Sequence, residues 1–130
     1  MVFDTASFAP ILPGCDPQAV WLEGTSHTVA GLLARTIAGR EPLQARFKDL
    51  TTAIGFLNQI DIAQSELGVG QTVNGVTIPL GNGLVAATSV MDTGFYYTYG
   101  PSKHIGATGW YLIAALGGNP FQLGYVSVPR

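Results

Sequence analysis

The sequence is short of charge. Asp, Glu, Lys and Arg make up only 11% of its 130 residues, against roughly 25% in ordinary soluble domains. A small domain keeps a large share of its surface in water. Charge this sparse therefore implies that part of the surface is covered by other chains, as in obligate assemblies. Six basic residues against eight acidic ones give a net charge of −2. Arg35, Arg40, Arg46 and Lys48 are dispersed among apolar positions, so no patch exists to neutralise phosphates and nucleic acid is not an expected partner.

Cysteine is almost absent. Cys15 is the single one, which excludes a disulfide within the chain and fits assembly in a reducing cytoplasm. It sits in the turn sequence Pro13-Gly14-Cys15-Asp16-Pro17. No apolar run approaches the ~18 residues that span a bilayer, so membrane insertion is not expected. Asp4 comes early and no basic stretch precedes an apolar core, so a secretory signal is not expected either. No internal repeat is visible.

Recognisable reaction chemistry is missing too. Asp49, Asp61, Glu66 and Asp92 have no spacing that brings two carboxylates together for acid–base work. His27, His104 and Cys15 are far apart and in no ligand spacing, although one His104 from each chain could meet at a trimer axis. Cys15 can be drawn as a dyad with either histidine, but any chain holding both residues permits that drawing. There is no nucleophile elbow. Gly68-Val69-Gly70 and Gly81-Asn82-Gly83 read as turns and not as phosphate loops. The chain is expected to have no catalytic residues, no metal and no cofactor, and not to be an enzyme.

What is present is order punctuated by turns. Pro10, Pro13 and Pro17 make residues 1–24 an apolar extended arm that packs on something, a neighbouring subunit being one choice. A helix is expected over 26–38, capped by Thr25 or Ser26 and stopped by Gly39. A longer helix is expected over 42–66, with Pro42 in its first turn. Leu43, Phe47, Leu50, Ile54 and Leu57 follow at spacings of 4, 3, 4 and 3 along it. That is a heptad seam, which serves either a helix packed on its own domain or a bundle of copies. Beyond residue 67 β-type residues take over. Asn74-Gly75 signals a hairpin within 72–77, and strands are expected over 84–90, 94–99, 109–116 and 121–128. The expected class is α+β: an arm and helices over 1–67 that can form a trimeric bundle, then a small antiparallel β-module over 68–130.

The second half is rich in aromatics. In an alternating strand Phe95, Tyr97 and Tyr99 share one face and Tyr96 takes the other. Tyr97, Tyr99 and Trp110 are the candidate face for a receptor or glycan, because such rings join a flat apolar face to a polar edge.

Three motifs carry a resemblance. Asp92-Thr93-Gly94-Phe95-Tyr96, Gly109-Trp110-Tyr111-Leu112-Ile113-Ala114 and Gln122-Leu123-Gly124-Tyr125-Val126 resemble strands of the pyocin-knob modules in tail fibres of phages and phage-like bacteriocins. Residues 1–54, with Phe3-Asp4, a proline-rich arm and the stretch Val29–Arg35, are similar to virion-attachment segments of such fibres. The resemblance implies a homotrimer without catalytic residues, assembled in a host cytoplasm and carried in the virion tail. It would be a short tail fibre, or a baseplate or fibre adaptor. Its implied partners are its own copies, other tail and baseplate proteins, and a host cell-surface glycan. The competing reading is a stand-alone carbohydrate-binding module.

Overall fold

The computed structural model describes residues 12–118 and 120. Residues 1–11 of the arm and the strand expected over 121–128 lie outside them. The described chain is α+β, with helices α1 (Leu22–Ala38), α2 (Leu43–Glu66) and α3 (Ile105–Ala115). Two antiparallel two-stranded sheets accompany them. One pairs β1 (Thr72–Val73) with β2 (Val76–Thr77), the other β3 (Met91–Asp92) with β4 (Thr98–Tyr99).

α1 begins four residues before the expected start. Thr25 and Ser26 do not cap it. Their hydroxyls donate to the carbonyls of Trp21 and Leu22, each at 2.9 Å, the back-bonding that Ser and Thr adopt inside helices. The first turn is completed from elsewhere in the fold: the Leu22 N–H donates to the Ala86 carbonyl at 3.1 Å, and the Leu22 side chain is buried. A tertiary partner thus replaces a capping side chain. Gly39, at φ 66°, ends the helix in the left-handed conformation that glycine tolerates.

α2 fills the expected span and returns antiparallel to α1. Its buried face is Asp49, Ala53, Ile60 and Ala63, not the heptad seam. Alanine recurs on both buried faces, at Ala30 and Ala34 of α1 and at Ala53 and Ala63 of α2. At the hairpin end the Arg35 Nε donates to the Asp49 carboxylate at 2.6 Å, and the Arg46 Nε donates to the Thr36 carbonyl at 3.0 Å. The Arg35 hydrogen bonds hold the buried Asp49 carboxyl below its ordinary range, against the opposing effect of its desolvation.

The β1–β2 hairpin forms as the sequence implies. Asn74 and Gly75 both take positive φ, 51° and 78°, and the register pairs Thr72 with Thr77 and Val73 with Val76. The expected strand at 84–90 is not a ladder. Leu84, Val85, Ala86 and Ala87 are buried and bond in turn to two neighbours. The Ala86 N–H donates to Ser102 and the His104 N–H to Leu84, while Leu22 and Val20 bond from the other side. Only isolated bridges result, Val85 with Lys103 and Trp21 with Ala87. Of the strand expected over 94–99, only Thr98–Tyr99 is extended and paired.

The strand expected over 109–116 is a helix, α3. Trp110, Tyr111 and Ile113 favour a strand by composition, but burial decides otherwise. Ala107 and Ala114, seven residues apart on one helical face, are both buried. His104 caps the helix, its Nδ1 accepting the Ala107 N–H at 3.2 Å. α3 packs on α1, and one core joins Leu22, Val29, Ile60, Leu84, Val85 and Ala107. That core crosses the boundary drawn at residue 67. The described part of the arm lies on its own chain: the Asp16 N–H donates to the Val90 carbonyl, and Val20 and Thr88 exchange hydrogen bonds.

Candidate functional site

α2 carries two apolar faces. The inner one packs on the core. The outer one is the heptad seam, and most of it stands in water: Leu43 is 78% exposed, Phe47 67%, and Leu50 and Ile54 are exposed as well. Only Leu57 packs against the core. Leu43 to Ile54 cover about 17 Å of helix at 1.5 Å per residue. A shallow hollow of about 150 Å³ lies beside them, lined by Thr36, Leu43, Arg46, Phe47 and Leu50. Scattered exposed apolar side chains are ordinary. This stripe is contiguous and in heptad register, the spacing used where helices pack side by side.

A separate feature is a loop that displays aromatics. Phe95 is 75% exposed and Tyr96 82%. The loop is tightly held. The Thr93 hydroxyl and N–H both donate to the Tyr97 carbonyl, at 2.7 and 3.2 Å, and the Gly94 N–H donates to Asp92 Oδ1 at 2.8 Å. Beside it lies a cleft of about 220 Å³, lined by Trp21, Met91, Asp92, Thr93, Phe95, Tyr97 and Tyr99. The rings of Tyr97 and Tyr99 meet edge to face, centroids 5.8 Å apart. Burial, and then Tyr97, push the Tyr99 phenol above its ordinary range.

The expected trio is therefore divided. Tyr97 and Tyr99 share the cleft, and Phe95 joins them, as alternation implies even though this stretch is a loop. Trp110 is on α3 instead, its ring 3.9 Å from that of His27 between centroids. Trp21 supplies the third wall. Sequence reasoning placed Trp21 in an undifferentiated arm, and no local pattern links residue 21 to residues 91–99.

The ionisable groups gather at the junction of α1 and α3. Glu23 lies 3.9 Å from His27 Nε2 and 3.7 Å from His104 Nδ1. Both separations exceed hydrogen-bond length, and His104 Nδ1 is already accepting from α3. Gly106 makes room for this approach, since a Cβ there would fall 2.9 Å from Glu23 Oε2. Among the described residues no three His, Cys, Asp or Glu side chains group so as to hold a metal. Burial, with Asp92 adding to it, pushes the Cys15 thiol up, the opposite of activation as a nucleophile. A larger apolar groove of about 830 Å³ runs between α1 and α2, with Val20, Trp21, Phe56, Ile60 and Ala63 in its lining, and among the described residues that lining carries no ionisable side chain.

No protein-family model, curated protein or solved structure matches this chain.

Proposed function

We propose that the chain is a non-catalytic assembly subunit that self-associates through the outer face of α2, as a short fibre or adaptor in a phage-like tail. The observation that carries this reading is the exposed seam Leu43–Phe47–Leu50–Ile54, in heptad register on a helix whose own core contacts use a different face. The scarcity of charge supports it as well. The tail setting draws on the sequence resemblance. The knob part of that resemblance loses weight, because the stretch taken for its central strand, residues 109–114, is helical. The assembly reading rests on α2 and does not need the knob.

A homotrimer is the proposed state, with the seams of three α2 helices facing one axis. Fully burying a Leu, Ile or Phe side chain stabilises by about 1.5–3 kcal/mol. Four such side chains, each with a third to three-quarters of its surface still in water, leave about 3–7 kcal/mol per chain to be gained on that scale. Static light scattering tests this directly. A mass of three chains at micromolar concentration is expected, and a stable monomer there refutes the proposal. A carbohydrate-binding module with Tyr97, Tyr99 and Trp110 as one platform is the weaker reading, because Trp110 is not among the residues lining the cleft.

A further inference from the structure

The aromatic cleft has a built quality that the assembly reading leaves unused. Its described walls are Trp21, Phe95, Tyr97 and Tyr99 with Met91, and its polar groups are Asp92, Thr93 and the two tyrosine phenols. Two walls are fixed by the backbone. Trp21 lies directly on α1 at Gly24, where a Cβ would fall 2.3 Å from Trp21 Cε3. On the other side, Tyr96 takes a φ of +63°, a conformation costly for an aromatic residue. Burial does not offset that strain, since Tyr96 and its neighbour Phe95 are among the most exposed side chains described. The strained turn instead sets Phe95 and Tyr97, the residues on either side of Tyr96, in the cleft wall.

We propose that this cleft binds a methylated ammonium group, of the kind carried by choline. Aromatic faces present negative potential, and a quaternary ammonium is the cation that meets several of them with little loss of hydration. Among the described residues Asp92 is the one carboxylate in the lining, and no Lys or Arg lines it to oppose a cation. The carboxylate is oriented by N–H groups of Leu12 and Gly94, each at 2.8 Å. A hexose fits the same space poorly in chemical terms. Each of its hydroxyls needs a partner on entering, and unpaired polar groups are costly. Among the described residues the cleft offers the Asp92 carboxylate, the Thr93 hydroxyl and the phenols of Tyr97 and Tyr99, fewer groups than a hexose presents, and the Thr93 hydroxyl already donates to Tyr97. A trimethylammonium head makes no such demand. The inference rests on the cleft alone and stands or falls apart from self-association through α2.

The test is an NMR titration of the full chain, following the backbone amides of residues 91–99. The probes are choline, phosphocholine, methyl glucoside, and 3,3-dimethylbutan-1-ol, which has the shape of choline without its charge. Choline is expected to give saturable shifts with a Kd of about 1 mM, with the neutral isostere at least about tenfold weaker. Equal binding of choline and phosphocholine assigns recognition to the trimethylammonium head. Weaker binding of phosphocholine assigns the site to free choline-like cations. Tyr97→Ala, in an exposed loop, should weaken choline about tenfold. Equal affinity for the neutral isostere, saturation by the glucoside without choline, or no saturable shift with choline overturns the proposal.

Discussion

Phe47→Glu tests whether α2 has an outer partner. Phe47 is 67% exposed in the single chain. Complete burial of a Phe side chain stabilises by about 1.5–3 kcal/mol, so about 1–2 kcal/mol remains to be gained per chain in a bundle. Across three chains the substitution removes about 3–6 kcal/mol. At 1.4 kcal/mol per tenfold, that lowers the association constant by about a hundred- to ten-thousandfold. Three like carboxylates in one layer add repulsion to this. The single chain should hardly notice, since exposed substitutions stay within about 0.5 kcal/mol. Sedimentation velocity over a range of concentrations reads the mass, and far-ultraviolet circular dichroism confirms that the helices survive. Phe56→Glu, on the groove face of α2, is the control and should leave the mass unchanged. A Phe47→Glu protein with wild-type mass refutes the reasoning, as does equal loss of mass in both variants.

Other expectations follow from single contacts. Asp49 has its carboxyl held down by Arg35, so the folded value lies below the unfolded one. The stabilisation is complete above the unfolded value and is lost as pH falls through the folded one. Arg35→Ala should lower Tm at neutral pH and flatten the Tm–pH curve below about pH 4, and parallel curves for the two proteins would count against it. The Tyr111 phenol is pushed up to about 12, first by its hydrogen bond to Asp61 and then by burial. Its folded value lies above the unfolded one, so this stabilisation is intact below the unfolded value and is lost as pH rises toward 12. Asp61→Asn should bring its phenolate absorbance back toward that of an ordinary tyrosine, with Tyr111→Phe identifying the signal. Gly55 lies inside α2 with no atom within 4 Å of a built Cβ, so Gly55→Ala should add about 1 kcal/mol and raise Tm by about 3–5 °C. Gly24→Ala should do the reverse, because its Cβ would collide with the Trp21 ring.

Where local chemistry decides structure, the sequence is readable. Pro42 and Gly68 bracket α2, Gly39 closes α1, and Asn74-Gly75 turns the hairpin. Each of these is a backbone preference that operates within a few residues. The misreadings all involve distant partners. Ser26 looks like a cap until Ala86 supplies the bond that lets α1 start at Leu22. Residues 109–116 look like a strand until Ala107 and Ala114 find α1, with His104 as a cap outside the usual set. Half of the aromatic cleft was visible as Tyr97 and Tyr99. The other wall comes from Trp21, about seventy positions away, and only the run of residues 16–20 along 88–90 brings it there.

The case of α2 is different, because its apolar spacing is plain in the sequence while the partner of that spacing is not. The most regular apolar spacing in the chain runs from Leu43 to Leu57, yet of these residues only Leu57 packs against the core. Folding uses Ala53, Ile60 and Ala63 with the Asp49–Arg35 pair, a face too small and too polar to stand out in the sequence. A helix that packs on its own domain through alanines leaves its larger side chains for something else. Under the proposed self-association, folding and association draw on separate residues of one helix, so each can be altered without the other. Phe47→Glu and Arg35→Ala divide along that line: the first should change mass with little change in Tm of the single chain, the second Tm with little change in mass. A seam that belonged to the chain's own core could not show that separation, because every loss of association would then be a loss of fold.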